Sequence, residues 1–379
     1  MKCFRCNSGN IYYFITHICI GHPSSKSKDK GMFSKHAGKV AQAYTSICQQ
    51  IVHTPLLEAP LLNQLASQRI GKDIRVLIKC ENLQHTGAFK IRGATNRILN
   101  LSQEEAMKGV VAFSSGNFAQ ALAFASNRND VKCTIIAPHD APSLKLERTK
   151  LYGGEIVLSY PEEGQNREVA ASSMAAKFAE EHDACLLHPF DDYEVMYGQG
   201  TLALEVYREA ERRGDHVDVL VVPTGGGGML AGCALATIDE GQSINDDSSS
   251  KKTRLWSVEP QGYNDHAISF TSEGKQRIPL TGKPVTTKCD ALQASAPGNL
   301  TWEINSKELS GAVWMSDSAA VEAMKVAFTE LKLILEPSGA LGIAALLNDR
   351  IDDIKDGSVV CVVACGGNIA LEDYLKWLQ

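Results

Sequence analysis

The feature that most constrains the fold is a repeated alternation of short apolar runs with helix-like segments from about residue 40 onward. The apolar runs lie at residues 75–80, 110–113, 133–136, 217–222 and 359–364. Each is followed by a loop, and the loops are rich in Gly, Ser, Asn or Pro. Continuous apolar strands that alternate with helices are typical of parallel sheets buried on both faces. The sequence therefore predicts an α/β fold.

Composition narrows the class of protein further. The chain has 379 residues, a formal net charge of −6 and eleven cysteines. No apolar run approaches the roughly 20 residues of a membrane-spanning helix, and no basic patch suggests nucleic acid as a partner. An odd number of cysteines in apolar segments is typical of free thiols in a reducing compartment. We therefore expect a cytoplasmic enzyme that binds neither a membrane nor nucleic acid.

The N-terminal segment differs from the rest of the chain. Residues 1–36 are basic and nearly free of acidic side chains, and they include a polar run from Pro23 to Lys30. We predict a disordered extension over residues 1–39. A mitochondrial targeting segment is the alternative, and the single Arg5 argues against it because such segments are rich in arginine.

The loops after three predicted strands carry the polar residues. They are Ser114-Ser115-Gly116-Asn117, Gly225–Gly228 and the Gly-Gly-Asn run that follows Cys365. In parallel sheets, ligands bind at the carboxyl ends of strands. Four glycines between a strand and a helix start allow backbone N–H groups to surround a phosphate, and a tight structural turn is the alternative. The glycine run alone does not identify the cofactor.

Lys90 is the residue that helps to distinguish between the possible cofactors. It lies in an apolar, glycine-flanked segment from His85 to Gly93. A desolvated lysine has a lowered pKa and can form a Schiff base with a carbonyl compound. Taken alone, an exposed lysine on an amphipathic helix explains the pattern better. Together with the glycine run and the Ser-Ser-Gly-Asn loop, a covalent role becomes the better explanation.

These motifs, in this order, resemble those of the fold-type II pyridoxal-phosphate enzymes, and most closely the threonine/serine dehydratases and serine racemases. The resemblance extends from about residue 40 to the C-terminus. It implies pyridoxal 5'-phosphate as cofactor and two domains, each an open, mostly parallel twisted sheet flanked by helices. The large domain would comprise residues 40–108 and 187–379, and the small domain residues 109–186.

The resemblance also implies a role for each motif residue. Lys90 would bind the cofactor covalently, Phe89 would pack against its ring, and Cys365 would face the ring nitrogen. Asn117 would contact the ring hydroxyl, and Ser114, Ser115 and Asn117 would bind the substrate carboxylate. The phosphate would be held by the backbone of Gly225, Gly226, Gly227, Gly228 and Met229. Phe118 replaces the histidine common at its position, so no histidine role is expected there.

A metal site is expected in the loop after the run Arg254–Val258. Two carboxylates and a carbonyl suit a hard cation such as Mg²⁺ or Ca²⁺. The loop resembles the metal loop of serine racemases, which implies Glu259, the Tyr263 carbonyl and Asp265 as ligands of a structural ion. An exposed acidic loop without a metal is the alternative.

The expected function is elimination from L-threonine and/or L-serine to a 2-oxo acid and ammonia. The expected partners are an amino-acid substrate and further copies of the chain, in a homodimer or homotetramer. Serine racemase is the main alternative, with Ser115 as the acid on the face opposite Lys90, and hydroxyaspartate ammonia-lyase is another. A non-catalytic binding protein would require a lost lysine or glycine loop, and both are present. A nicotinamide dehydrogenase would leave Lys90 without a role.

Overall fold

Two sheets form the centre of the computed structural model, which describes residues 33–114, 116–163, 165–243, 245, 251–282, 285–352 and 354–379. Within these ranges the strands are β1 Leu56–Glu58, β2 Ile74–Lys79, β3 Val110–Phe113, β4 Cys133–Pro138, β5 Glu155–Ser159, β6 Cys185–Leu187, β7 Val219–Pro223, β8 Arg254–Pro260, β9 Leu309–Met315 and β10 Ser358–Val363.

The strand order is β1-β2-β10-β7-β8-β9 in the first sheet and β5-β4-β3-β6 in the second. Among these strands, β1 pairs antiparallel with β2, and all the other pairs are parallel. Every residue of β7 and of β10 is buried, as continuous apolar runs predict for strands covered on both faces. The predicted α/β fold with mostly parallel sheets is confirmed.

Helices follow most of the strands. They are α1 Lys39–Ile47, α2 Pro60–Ile70, α3 Lys90–Leu99, α4 Gln103–Lys108, α5 Asn117–Arg128, α6 Ser143–Leu151, α7 Arg167–His182, α8 Tyr193–Arg212, α9 Gly228–Asp239, α10 Asp265–Thr271, α11 Asn299–Glu308, α12 Asp317–Val326, α13 Pro337–Leu347 and α14 Leu371–Leu378. In the part of the chain that the structure describes, no helix combines the length and apolar character needed to cross a bilayer.

Residues 37–379 form one compact unit. The strands of the second sheet come from residues 110–187, and those of the first sheet come from both sides of that segment. This arrangement is compatible with the expected insertion of residues 109–186, whose boundaries stay a prediction. Of the expected N-terminal extension, residues 1–32 lie outside the described residues.

The sheet order brings distant loops to one place. β10 lies between β2 and β7, with Val362 opposite Ile78 on one side and Val221 on the other. Because β7 and β10 are parallel, the loops that follow them leave the sheet on the same side, at the carboxyl ends of the strands. A further antiparallel bridge joins Ala88 to Gly366, so the segment before Lys90 lies against the loop after β10.

A buried network of ion pairs lies next to the start of α3. Arg92 Nε is 2.7 Å from Glu81 Oε2, and its Nη2 is 2.8 Å from Glu205 Oε2. Lys79 Nζ is 2.5 Å from the same oxygen of Glu205. All four side chains are almost fully buried, and the two positive charges balance the two negative ones. The network therefore joins β2 and α8 to the helix that begins with Lys90.

Candidate active site

One cavity of about 420 Å³ lies at the carboxyl ends of the strands, a volume within the ordinary range for small-ligand sites. The predicted residues that line it are Phe89, Lys90, Ser114, Asn117, Gly225, Gly226, Gly227, Gly228, Met229 and Cys365. Ser115 lies outside the described residues. The structure thus brings the three predicted loops together around one cavity.

Lys90 is the first residue of α3 and faces this cavity. Its Nζ donates a hydrogen bond to the Pro189 carbonyl at 2.9 Å and lies 5.2 and 5.6 Å from the ring centroids of Phe89 and Phe118. Burial lowers the pKa of Lys90 to about 8, and Cys365 opposes that shift. The amine is therefore a better nucleophile and base near neutral pH than an ordinary lysine.

The glycine loop is shaped so that only small residues fit. Gly227 has a φ of 92°, which side chains rarely adopt, and a Cβ at Gly226 would lie 2.3 Å from the ring of Phe190. Thr301 Oγ1 in α11 donates to the Gly226 carbonyl at 2.8 Å and holds the loop in place. Because α9 begins at Gly228, its free N–H groups and dipole favour an anion.

Cys365 lies two residues after the end of the central strand β10 and is 3% exposed. Its Sγ donates to the Ser338 carbonyl at 3.7 Å. Burial, reinforced by the nearby Glu336, raises the pKa of the thiol well above its ordinary range. The side chain is therefore an uncharged thiol at neutral pH, and the cavity has no carboxylate at this position.

Asn117, at the start of α5, is held by two neighbours. Its Nδ2 donates to Glu336 Oε1 at 2.6 Å, and its Oδ1 accepts a hydrogen bond from Asn368 Nδ2 at 3.0 Å. Glu336 is itself buried, and Lys145 Nζ lies 3.4 Å from its other oxygen and 2.7 Å from Asp290 Oδ2. Burial raises the pKa of Glu336. A buried polar network thus fixes the amide at the cavity wall.

Sequence reasoning selected Asn117 but missed the charged residues of this network, Glu336, Lys145 and Asp290. Lys145 is 145 residues from Asp290 and 191 residues from Glu336, so no local pattern connects them. The one available signal was the position of Glu336 just before Pro337, since a carboxylate is stabilised at a helix N-terminus. Phe190, which packs against the glycine loop, carries no sequence signal for that role.

The predicted metal loop is buried rather than exposed. Glu259, Asp265 and His266 are each 0% exposed, and one potential ligand atom from each lies within 4.8 Å of the others. Tyr263 lies in the intervening turn and is also buried. Burial raises the pKa of Glu259 to about 7 and also raises that of Asp265. The structure brings the two predicted carboxylates together and adds His266, which the sequence analysis did not select.

Several proteins of known type are similar in sequence to this chain over most of its length. A serine racemase from Dictyostelium discoideum is 36% identical over 340 residues, which cover 90% of this chain and 97% of the relative. An L-threo-3-hydroxyaspartate ammonia-lyase from Saccharomyces cerevisiae is 35% identical over 337 residues, 89% of this chain and 94% of the relative. The solved structure of maize serine racemase superposes with a TM-score of 0.77 at 32% identity and covers 89% of this chain and 95% of that one.

The family model described as "Pyridoxal-phosphate dependent enzyme" matches residues 47–366. That range contains both sheets and all the described residues that were expected to contact the cofactor. The fold, the relatives and the family match agree with the resemblance in the motifs. The chain belongs to the pyridoxal-phosphate dependent enzymes.

Proposed function

We propose that the protein uses pyridoxal phosphate to convert L-serine and/or L-threonine to pyruvate or 2-oxobutanoate and ammonia. One observation carries the proposal: the amine of Lys90, with a pKa of about 8, shares a cavity with an anion-binding glycine loop and an uncharged Cys365. An amine, a phosphate site and a neutral hydrogen-bonding group together match the aldehyde, phosphate and ring nitrogen of that cofactor.

The residues present fit the cofactor. Lys90 would hold it covalently, with Phe89 beside the ring and the Cys365 thiol at the ring nitrogen. The backbone N–H groups from Gly225 to Met229 would bind the phosphate. A Cβ would collide with Phe190 at position 226 and with His266 at position 227, so the loop keeps this conformation only with glycine there. Asn117 would contact the ring hydroxyl, and Ser114, Ser115 and Asn117 would bind the substrate carboxylate.

When bound, the cofactor supplies a sink for the negative charge that develops at the substrate Cα. The amine of Lys90 is then the general base that removes the Cα proton, and a pKa near the working pH suits that task. Phe89 and Phe118 place apolar rings 5.2 and 5.6 Å from the amine, measured to the ring centroids. Because Cys365 carries no charge, nothing at that position holds the ring nitrogen protonated, and prompt loss of the β-hydroxyl is favoured over a long-lived carbanion.

The test is a product assay of the purified holoenzyme on L-serine, L-threonine and L-threo-3-hydroxyaspartate, with 2-oxo acid and D-serine both measured. We expect 2-oxo acid as the main product from serine or threonine, and complete loss of activity in Lys90→Ala. Lys150→Ala, an exposed lysine on α6, is the control and should keep parental activity. Borohydride reduction that fixes the cofactor to any lysine other than Lys90 would contradict the proposal.

Serine racemisation is a second candidate, supported by the 36% identity to the Dictyostelium discoideum serine racemase. Ser115 would be the proton donor on the face opposite Lys90. In that case Ser115→Ala should abolish formation of D-serine and keep part of the elimination from L-serine. Equal loss of both activities would instead indicate that Ser115 mainly binds the substrate carboxylate.

Hydroxyaspartate is the third substrate to test, because the cavity contains a second cation. Arg277 lines the cavity, and its Nε donates to the Pro297 carbonyl at 2.6 Å. Among the described residues it forms no ion pair with a carboxylate, so its remaining N–H groups could bind a substrate's second carboxylate. If so, Arg277→Ala should lower kcat/KM for hydroxyaspartate and leave that for serine nearly unchanged.

A further inference from the structure

His188 is a half-buried residue of the cavity wall that neither the fit of the cofactor nor the proton transfer by Lys90 uses. It directly follows β6, and the carbonyl of the next residue, Pro189, accepts the hydrogen bond from Lys90 Nζ at 2.9 Å. Burial lowers the pKa of His188, with Asp191 opposing the shift and Lys90 reinforcing it. The imidazole is therefore uncharged at neutral pH and lies beside the amine of Lys90.

The hydrogen bonds of the ring determine which nitrogen carries the proton. Nδ1 accepts hydrogen bonds from the backbone N–H groups of Asp191 at 2.9 Å and of Phe190 at 3.4 Å. Because a nitrogen that accepts is unprotonated, the single ring proton of the neutral imidazole is on Nε2. Nε2 has no hydrogen-bond partner among the described residues and is not sealed from solvent. Its N–H is therefore a donor available to a ligand in the cavity.

Two aromatic rings hold the imidazole in this orientation. Phe113, at the end of β3, and Phe190 each pack edge to face with it, at centroid distances of 5.3 and 4.5 Å and interplanar angles of 82° and 88°. Phe113 directly precedes Ser114 of the expected carboxylate site, and Phe190 packs against Gly226 of the expected phosphate site. His188 thus lies between these two loops.

The four groups on the Cα of an amino-acid substrate leave one of them for this part of the cavity wall. The amine must meet the cofactor where Lys90 holds it, and the hydrogen must face the Lys90 Nζ that removes it. The carboxylate is expected at the loop from Ser114 to Asn117. The group that remains is the hydroxyl-bearing β-carbon, and His188 presents its N–H between the carboxylate loop and the phosphate loop.

We propose that His188 Nε2–H donates a hydrogen bond to the β-hydroxyl of the substrate and stabilises the negative charge that develops on this oxygen as the Cβ–O bond breaks. This role rests on the proposed function. The electron pair of the Cβ–O bond stays on the oxygen, and the proton that Lys90 takes from Cα balances its release as water. His188 acts by hydrogen bonding alone and neither gains nor loses a proton.

The test compares L-serine with β-chloro-L-alanine, which differs from it only in the leaving group. Elimination from either compound gives pyruvate, so one assay of the holoenzyme serves both, and chloride leaves readily without a hydrogen-bond donor. His188→Asn keeps an acceptor for the Asp191 N–H and removes the Nε2–H. We expect it to lower kcat/KM for L-serine at least about 10-fold more than that for β-chloro-L-alanine. His188→Gln, whose amide N–H reaches the place of Nε2, should restore part of the loss for L-serine.

His53→Asn, at an exposed histidine outside the cavity wall, is the matched control and should change neither value. An equal fall for both compounds in His188→Asn would show a merely structural role and overturn the inference, as would parental values for both. If His188→Asn does not fold, His188→Phe, which keeps a ring between Phe113 and Phe190, gives the same comparison.

Failure of the proposed function has a different signature, the absence of pyruvate and 2-oxobutanoate when the parent protein is mixed with L-serine and L-threonine. Binding then decides the role of His188. L-Alanine lacks the hydroxyl, so the ratio of the L-alanine to the L-serine concentration that gives half of the change in cofactor absorbance measures the contribution of the hydroxyl. This ratio should fall about 3- to 10-fold from the parent to His188→Asn, and an unchanged ratio would overturn the inference.

Discussion

Lys90 shows how partial burial changes the pH range over which a side chain loses its proton. An ordinary lysine loses its proton near pH 10.5, whereas burial lowers the pKa of Lys90 to about 8. Below that value the amine is protonated and cannot attack a carbonyl; above it the amine is neutral and reactive.

We therefore predict that the rate of cofactor attachment to the cofactor-free protein rises with pH up to about 8 and levels off above it. The absorbance change on mixing the protein with pyridoxal phosphate, followed over about two pH units on either side of 8, measures this rate. An inflection close to 10.5 would show that the cavity does not desolvate the amine.

Substitutions of Cys365 test whether the reaction requires an uncharged side chain at this buried position. Cys365→Ser should keep near-parental activity, because a hydroxyl can take part in the same weak hydrogen bonds. Cys365→Asp should be severe, since a carboxylate beside the ring nitrogen would stabilise its protonated form and slow loss of the hydroxyl relative to reprotonation. The ratio of 2-oxo acid to D-serine is the readout.

Thermal stability and cofactor content must accompany the Cys365→Asp measurement, because a new buried charge can also disrupt the end of β10. A folded, cofactor-loaded variant with the parental rate and product ratio would show that the neutrality of Cys365 has no effect on the reaction.

Among the elements, α3 depends on the buried ion pairs of Arg92. Glu205, on α8, contacts both Arg92 and Lys79. Glu205→Gln would leave two buried positive charges with one negative partner, Glu81. We predict a loss of about 3–5 kcal/mol in the free energy of unfolding, measured by urea denaturation.

The exposed Glu211 on the same helix provides the control: Glu211→Gln should change the free energy of unfolding by no more than about 0.5 kcal/mol. Similar effects of the two substitutions would mean that the buried network does not stabilise α3. Because α3 begins at Lys90, cofactor affinity should fall together with stability in Glu205→Gln.

At the same scale, the sequence predicts the elements far better than the contacts between them. The apolar runs that became β3, β4, β7 and β10, and the glycine loop at a strand end, are local patterns. The contacts of Glu336 with Lys145 and Asn117 join residues 191 and 219 positions apart, and no local pattern encodes them. His266 was not selected because a single histidine forms no repeating pattern in the sequence, and only the fold shows that it is buried beside two carboxylates.

For the whole molecule, the central position of β10 makes the C-terminal segment essential. β10 pairs with both β2 and β7, and each of its residues is buried. Deletion of residues 358–379 would leave two central strands with unpaired edges. We predict that this truncated chain lacks a cooperative unfolding transition and is rapidly cleaved by protease.

Deletion of residues 371–379 alone removes α14 and leaves β10 in place. This shorter truncation should keep a cooperative transition at a lower midpoint, because the buried Tyr374 is lost. A cooperative transition in the longer truncation would show that the first sheet forms without its central strand. The expected homodimer or homotetramer and the cytoplasmic location stay predictions, and sedimentation of the intact protein tests the former.

The same strand order has a consequence for synthesis in the cell. The strands of the second sheet are made consecutively, so that sheet can form while the chain is still attached to the ribosome. β2 and β7, by contrast, cannot pair with their common neighbour until the ribosome has translated β10. Until then their apolar faces and one edge of each strand stay exposed. Since Cys365 follows β10, the cofactor site cannot close around its ligand before the ribosome has translated β10 and Cys365. We therefore expect the nascent chain to depend on chaperones during that interval, and cofactor loading to follow the synthesis of Cys365.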